Sequence, residues 1–185
     1  NSWGCPTQEG CKGDEFIPVL KTLMQAGIMV VASAGNEGSG CKSIGAPPAY
    51  HSDLTFSVGA ANNNMVIASF SSRGPSAFDG AIGPDIVAPG VSIRSAVPGN
   101  SYERMSGTSM SGPHVVGMIA LLWSANKNYI GKIAETADII RKTATPLKSN
   151  EVCGGVSGQQ IPNNTYGYGM VNALAATQAM LTGRY

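Results

Sequence analysis

Apolar residues in this chain fall into two patterns, short unbroken runs and longer stretches in which they recur at helical spacing. Phe16, Val19, Leu20 and Leu23 share one side of a helix predicted from a cap at Asp14 to about residue 26. Pro18 stands near its first turn and Gly27 ends it. Directly behind, Ile28-Met29-Val30-Val31-Ala32 is a continuous apolar run, the pattern of a strand buried on both faces. Further short strands are expected over 57–60, 86–88 and 91–96, set between Gly and Pro turns. Residues 102–105 then lead into a long helix reaching about residue 126, apolar from Val115 to Trp123. Two more helices are expected, over about 132–143 and 171–180, the last after the turn Tyr166-Gly167-Tyr168-Gly169. Helix, glycine, buried strand is the rhythm of a parallel α/β sheet.

Two places in this pattern suit chemistry. Ser106-Gly107-Thr108 runs straight into the long helix, so Ser109 stands at or near a helix N-terminus. There the unpaired N–H groups and the positive dipole end favour negative charge. An attacking hydroxyl wants that position, because a tetrahedral oxyanion forms beside it. Pro113 lies four residues on, and its missing N–H would have bonded the Ser109 carbonyl, so the first turn is loose below the hydroxyl. A hydroxyl cluster of this kind is also what an ordinary capped helix looks like. The second place is Ser33-Ala34-Gly35-Asn36-Glu37-Gly38, at the carboxyl end of the first buried run, the edge where open α/β sheets bind ligands. Its glycines read G-x-x-G-x-G and Pro47-Pro48 soon follows, which argues against a nucleotide-binding turn. Asn36 is then either a left-handed turn residue or an amide presented at the mouth of the sheet.

Composition narrows the classes. With 185 residues and 43% hydrophobic content the chain can form one well-buried domain. A net charge of +1 gives no excess to attract nucleic acid or an anionic membrane, and no apolar run approaches a membrane span. Cys5, Cys11, Cys41 and Cys153 are even in number and lack paired zinc spacing. They point to one or two disulfides and an exporting compartment, with three pairings open. Asn163-Asn164-Thr165 is a glycosylation sequon for a host that uses it.

The stretch GTSMSGPHVVG, beginning at Gly107, resembles the active-site serine motif of the subtilisin-like serine proteases. VVASAGNEG, beginning at Val30, is similar to the segment that carries their oxyanion-hole asparagine. FSSRGP, PDIVAPG and the closing GYGMVNA look like further blocks of the same family, and the cysteine-bearing pieces are most similar to its bacillopeptidase F-like branch. The likeness covers nearly the whole chain but only the second half of a subtilisin domain. It implies a three-layer α/β fold with a parallel sheet, residues 1–185 forming the C-terminal portion of one catalytic domain.

The function implied is serine endopeptidase chemistry on a peptide or protein substrate outside the cell. Ser109 would be the nucleophile. Asn36 and the Ser109 backbone N–H would hold the oxyanion, and Thr108 would support that site. Ser2, Trp3 and Gly4 would form one side of the primary specificity pocket and Ser33, Ala34 and Gly35 the other, with Glu37 at its rim. Catalysis would need no cofactor or metal. The family's structural calcium sites lie mostly upstream, and Asn62 stands where relatives often carry Asp. The resemblance also places a cis bond at Ala46–Pro47. Arg73 and Asp85 are candidate partners for one another, though a solvated face is the expectation for each.

A serine needs a base, and the base a carboxylate to orient it. In the family both precede the serine, ahead of residue 1 here. His114 sits five residues past Ser109, roughly 140° around the helix, and is expected to be a packed structural histidine. His51, with Asp53, resembles the wall of the cleft rather than its base. A companion N-terminal chain carrying the catalytic Asp and His is therefore the expected partner. The competing class is a relative that kept the fold without the base: an inactive fragment, or a binding or scaffold module.

Overall fold

A computed structural model of the chain describes residues 1–5, 9–46, 48–49 and 52–184. His51 and the Ala46–Pro47 bond lie outside them.

The central sheet has three parallel strands in chain order: β1 (Val31–Ser33), β2 (Phe56–Ala61) and β3 (Ile86–Pro89). Val31 stands beside Phe56, and Val58 beside Ile86. Further chain extends the sheet at both edges. The Asn1 nitrogen donates to the Val31 carbonyl at 2.5 Å and Ser33 N–H donates to the Asn1 carbonyl at 2.9 Å. Across the sheet, Val87 N–H donates to Gly169 and Val171 N–H to Val87. All six residues of β2 are buried, as expected of a strand covered on both faces. β1 is shorter than the apolar run that announced it, because Ile28 lies half exposed after the Gly27 turn.

Helix α2 (Thr108–Ala125) crosses one face of all three strands. Val115, Met118, Ile119 and Leu122 recur at helical spacing and meet Val31, Phe56, Val58, Ile86 and Ala88, the alternate residues of the strands that point that way. α3 (Ile133–Lys142) and α4 (Ala173–Thr182) close this layer. Asn172 caps α4 by accepting from Ala175 N–H, and Gly183 ends it in the left-handed conformation. On the other face, a cluster of Ala32, Ala34, Ile44 and Ala49 and another of Ala61, Val87, Tyr166 and Met170 cover the sheet. The result is the expected α/β architecture with a parallel sheet at its centre.

Several expectations need correction. α1 (Ile17–Gln25) begins later than expected and Asp14 does not cap it with its side chain. Glu15 instead accepts the N–H groups of Lys12 and Gly13, which winds 12–15 into a turn ahead of the helix. Residues 102–105 are no simple lead-in. β4 (Ile93–Val97) and β5 (Ser101–Met105) form an antiparallel hairpin standing away from the sheet. Arg73 and Asp85 do not pair, and neither is solvated. Arg73 is 2% exposed and bonds Glu151 at 2.9 Å, while Asp85 accepts from Arg141 and from Ser57 N–H.

The cysteines pair as Cys5–Cys11 and Cys41–Cys153. The second bridge joins the loop after β1 to a short hairpin of β6 (Val152–Cys153) and β7 (Val156–Ser157). The sequon is buried, with Asn163 at 0% exposure and its amide donating to the carbonyls of Leu147, Gly158 and Gln160. No described helix is long and apolar enough to cross a membrane.

Candidate active site

α2 begins at Thr108 after Gly107, which offers no side-chain cap. The cap comes from another element. Asn36, just beyond the end of β1, accepts with Oδ1 from Thr108 N–H at 2.9 Å and from Thr108 Oγ1 at 3.0 Å. Both partners are donors, so the atom that receives them is the amide oxygen. That fixes the side-chain flip. Nδ2 has no protein acceptor among the described residues and is the branch left for a ligand.

The turn that presents Asn36 is held from behind by the Phe70-Ser71-Ser72 segment. Ser72 N–H donates to the Gly35 carbonyl, Gly38 N–H to Phe70, and Glu37 N–H to Ser72 Oγ. Gly35 has φ +105°, and a Cβ there would come within 2.9 Å of Ser72 Oγ, so glycine is required. At the helix, Gly107 N–H donates to the Gly90 carbonyl and Ser111 Oγ donates to Ala88. The ends of β1 and β3 thereby hold the start of α2 in a fixed place against Asn36.

Ser109 is partly exposed and accepts a short hydrogen bond from Ser2 Oγ. Ser33 Oγ donates to the Thr108 carbonyl at 3.0 Å and lies 3.3 Å from Ser2 Oγ. Ser2, Ser33, Thr108, Ser109 and Asn36 are thus one connected polar cluster. They line a cleft of about 650 Å³ together with Trp3, Gly4, Ala34 and Gly35. The Trp3 ring rests on Phe16, centroids 5.1 Å apart, tying that wall to α1. Every residue nominated from the sequence for this site lines the one cleft.

Other candidates lie elsewhere. His114 is exposed on the outer face of α2 rather than packed, with Nδ1 2.8 Å from the Met110 carbonyl of its own helix. The sheet-facing side of that helix is taken by Val115 and Met118, which turns His114 outward. Asp53 borders a different cleft, with Arg141 and Phe56. Asn62 does not fit a calcium ligand, because its Oδ1 accepts from Asn64 and Val66 N–H within its own turn. No group of three or more carboxylate, histidine or cysteine side chains gathers among the described residues. The cleft also holds Ala46, from the stretch the resemblance sets beside the substrate pocket, and Glu9, Ser43, Gly45 and Ala49, which the motifs do not point to.

The family model of the subtilase family matches residues 1–169. The chain is 40% identical to Bacillopeptidase F of Bacillus subtilis (strain 168) over 189 residues, covering 99% of the chain and 12% of that protein. It is 38% identical to Subtilisin E of the same strain over 162 residues, covering 86% of the chain and 36% of the relative. Subtilisin Savinase of Lederbergia lenta is 39% identical over 159 residues, 86% of the chain and 49% of the relative. The fold is similar to the solved structure of the prenylagaramide maturation protease PagA, with a TM-score of 0.70 at 23% identity over 89% of the chain and 55% of that structure. The chain spans about half or less of each of these relatives. By its match to the family model over residues 1–169, this chain belongs to the subtilase family.

Proposed function

We propose that this chain carries the nucleophile side of a serine endopeptidase centre. Ser109 Oγ attacks the carbonyl carbon of a peptide bond laid in the cleft. Asn36 Nδ2 and the Ser109 backbone N–H receive the resulting oxyanion at the positive end of α2. The acyl group passes to Ser109, the amine leaves with a proton, and water then releases the acid. Thr108 is a positioning residue in this reading, because it touches the Asn36 oxygen and not the substrate. Ser2, Trp3 and Gly4 and, across the cleft, Ser33, Ala34 and Gly35 bind the substrate chain. No cofactor enters these steps.

One observation carries the reading: the residue that anchors the Asn36 amide is the immediate neighbour of Ser109. Donor and nucleophile are therefore fixed to each other before substrate arrives, as electrostatic stabilisation of a transition state demands. The base comes from outside residues 1–185. Among the described residues Ser109 Oγ meets a hydroxyl and no imidazole, and His114 faces away. A companion N-terminal segment supplies His and the Asp that orients it. The two disulfides favour an oxidising compartment outside the cytoplasm.

The test is active-site labelling of the full-length protein with a fluorophosphonate. Labelling is expected on Ser109 and is lost in Ser109→Ala. Labelling that persists in that variant would assign the nucleophile elsewhere.

A further inference from the structure

Among the described residues Arg73 is the largest fully buried side chain, and its charge is costly there unless its N–H groups find acceptors. The guanidinium is divided between two parts of the chain. One edge donates to Glu151, Nε to Oε2 at 2.9 Å and Nη2 to Oε1 at 3.3 Å. From the other edge Nη1 donates to the carbonyls of Ala68 and Ser71, so this segment curls around the cation. Ser72, the next residue, holds both chain neighbours of Asn36: its N–H donates to the Gly35 carbonyl and its Oγ accepts from Glu37 N–H. The Arg73 backbone closes the same frame. Its N–H donates to Ser43 Oγ, its carbonyl accepts from Ser43 and Ile44 N–H, and Ser43 Oγ lies 3.0 Å from the Gly38 carbonyl. Glu151 is fixed in turn. Thr165 Oγ1 donates to it at 2.7 Å, and Cys153, two residues on, is bridged to Cys41 in the loop that carries Ser43.

We propose that Arg73 is a positioning residue for the Asn36 amide: gripped by Glu151, it sets the place of Ser71 and Ser72 and through them the turn from which Asn36 projects. The inference rests on the peptidase reading for what Asn36 does, but not for the frame that holds it. The fork of the side chain matters here. A planar guanidinium serves a carboxylate and two carbonyls at fixed angles, whereas an ammonium is a single point on a flexible stem. Thr108 steadies the amide from the helix side, and Arg73 steadies the backbone behind it. An amide slightly out of place leaves substrate binding intact but meets the developing oxyanion less well, so the cost falls on kcat.

The experiment compares wild type, Arg73→Lys and Glu151→Gln, each alone and combined with Asn36→Ala, in the full-length protein, with rates expressed per serine labelled by a fluorophosphonate. Arg73→Lys is expected to lower kcat about five- to twentyfold with KM little changed, short of the roughly 10²–10³ that loss of an oxyanion donor costs. Glu151→Gln keeps one acceptor oxygen and should lower it about two- to fivefold. In the Asn36→Ala background both effects should shrink below about twofold, since the amide they act through is gone. A contribution to stability alone would cost the same in both backgrounds. Hydrogen exchange gives a readout that needs no catalysis: Glu37 and Gly38 N–H should exchange faster in Arg73→Lys while the amides of β2 and α2 keep their protection. Equal losses of kcat with and without Asn36, or exchange that rises evenly through the molecule, overturn the inference and leave Ser109 as the nucleophile. Where Arg73→Lys does not fold, Glu151→Gln decides by the same comparison. A wild type that resists labelling overturns the peptidase reading instead, and exchange at Glu37 and Gly38 then decides the inference by itself.

Discussion

Thr108 decides how still the Asn36 amide is. Its N–H and its hydroxyl both end on Asn36 Oδ1, so removing the hydroxyl leaves one anchor where there were two. Thr108→Ala should lower kcat about two- to tenfold with KM little changed, in line with the net worth of a single hydrogen bond. Thr108→Ser keeps the hydroxyl and should restore most of the rate; steady-state kinetics on the three proteins checks this. The motif around Ser109 was legible as a motif, and so was Asn36. That Asn36 is also the cap of α2 was not, because a cap supplied from another element leaves no local trace at Gly107. Arg73 and Asp85 teach the same lesson. Their partners, Glu151 and Arg141, lie 78 and 56 positions away, and nothing in neighbouring sequence points to them.

At the level of elements, what could be read was whatever burial writes into the sequence. β2, β3, α2, α3 and α4 came through to within a few residues, because burial writes short unbroken small or apolar runs into the strands and apolar stretches into the helices. β5 did not, since all five of its residues are exposed and carry no alternation to read. The β6–β7 hairpin was equally silent, at two residues a strand. Yet that hairpin is anchored by chemistry that responds to pH. Burial works to raise the pKa of Glu151, but hydrogen bonds from Arg73 and Thr165, with the Arg73 charge, outweigh it and hold the carboxyl below its ordinary value. A carboxyl whose folded pKa is depressed stabilises the fold fully above its unfolded pKa. That contribution is lost as pH falls through the folded value. Thermal melts from pH 7 down to pH 3 should therefore show a steep acid limb that Glu151→Gln makes shallower, at the expense of stability near neutrality, where Arg73 is left buried without its partner.

For the molecule as a whole, Cys41–Cys153 is the long-range tie, closing a loop of 112 residues between the turn after β1 and the late hairpin. Chain-entropy reasoning gives such a bridge about 3–5 kcal/mol, against less for the Cys5–Cys11 bridge with its separation of 6. Cys41→Ser/Cys153→Ser should lower Tm by roughly 10–15 °C in scanning calorimetry. Cys5→Ser/Cys11→Ser should move it far less while still touching the cleft. The two bridges differ in reach, one tying distant parts of the fold together and the other closing a short stretch next to Ser2-Trp3-Gly4.

The buried sequon has a practical side. In a yeast or mammalian secretory pathway, oligosaccharyltransferase meets Asn163 on the nascent polypeptide, before Leu147, Gly158 and Gln160 can claim its amide. A sugar attached at that moment has nowhere to go once the tail folds over it, so such material would be retained by quality control. Bacterial export or cell-free synthesis with a disulfide isomerase is the production route this architecture favours.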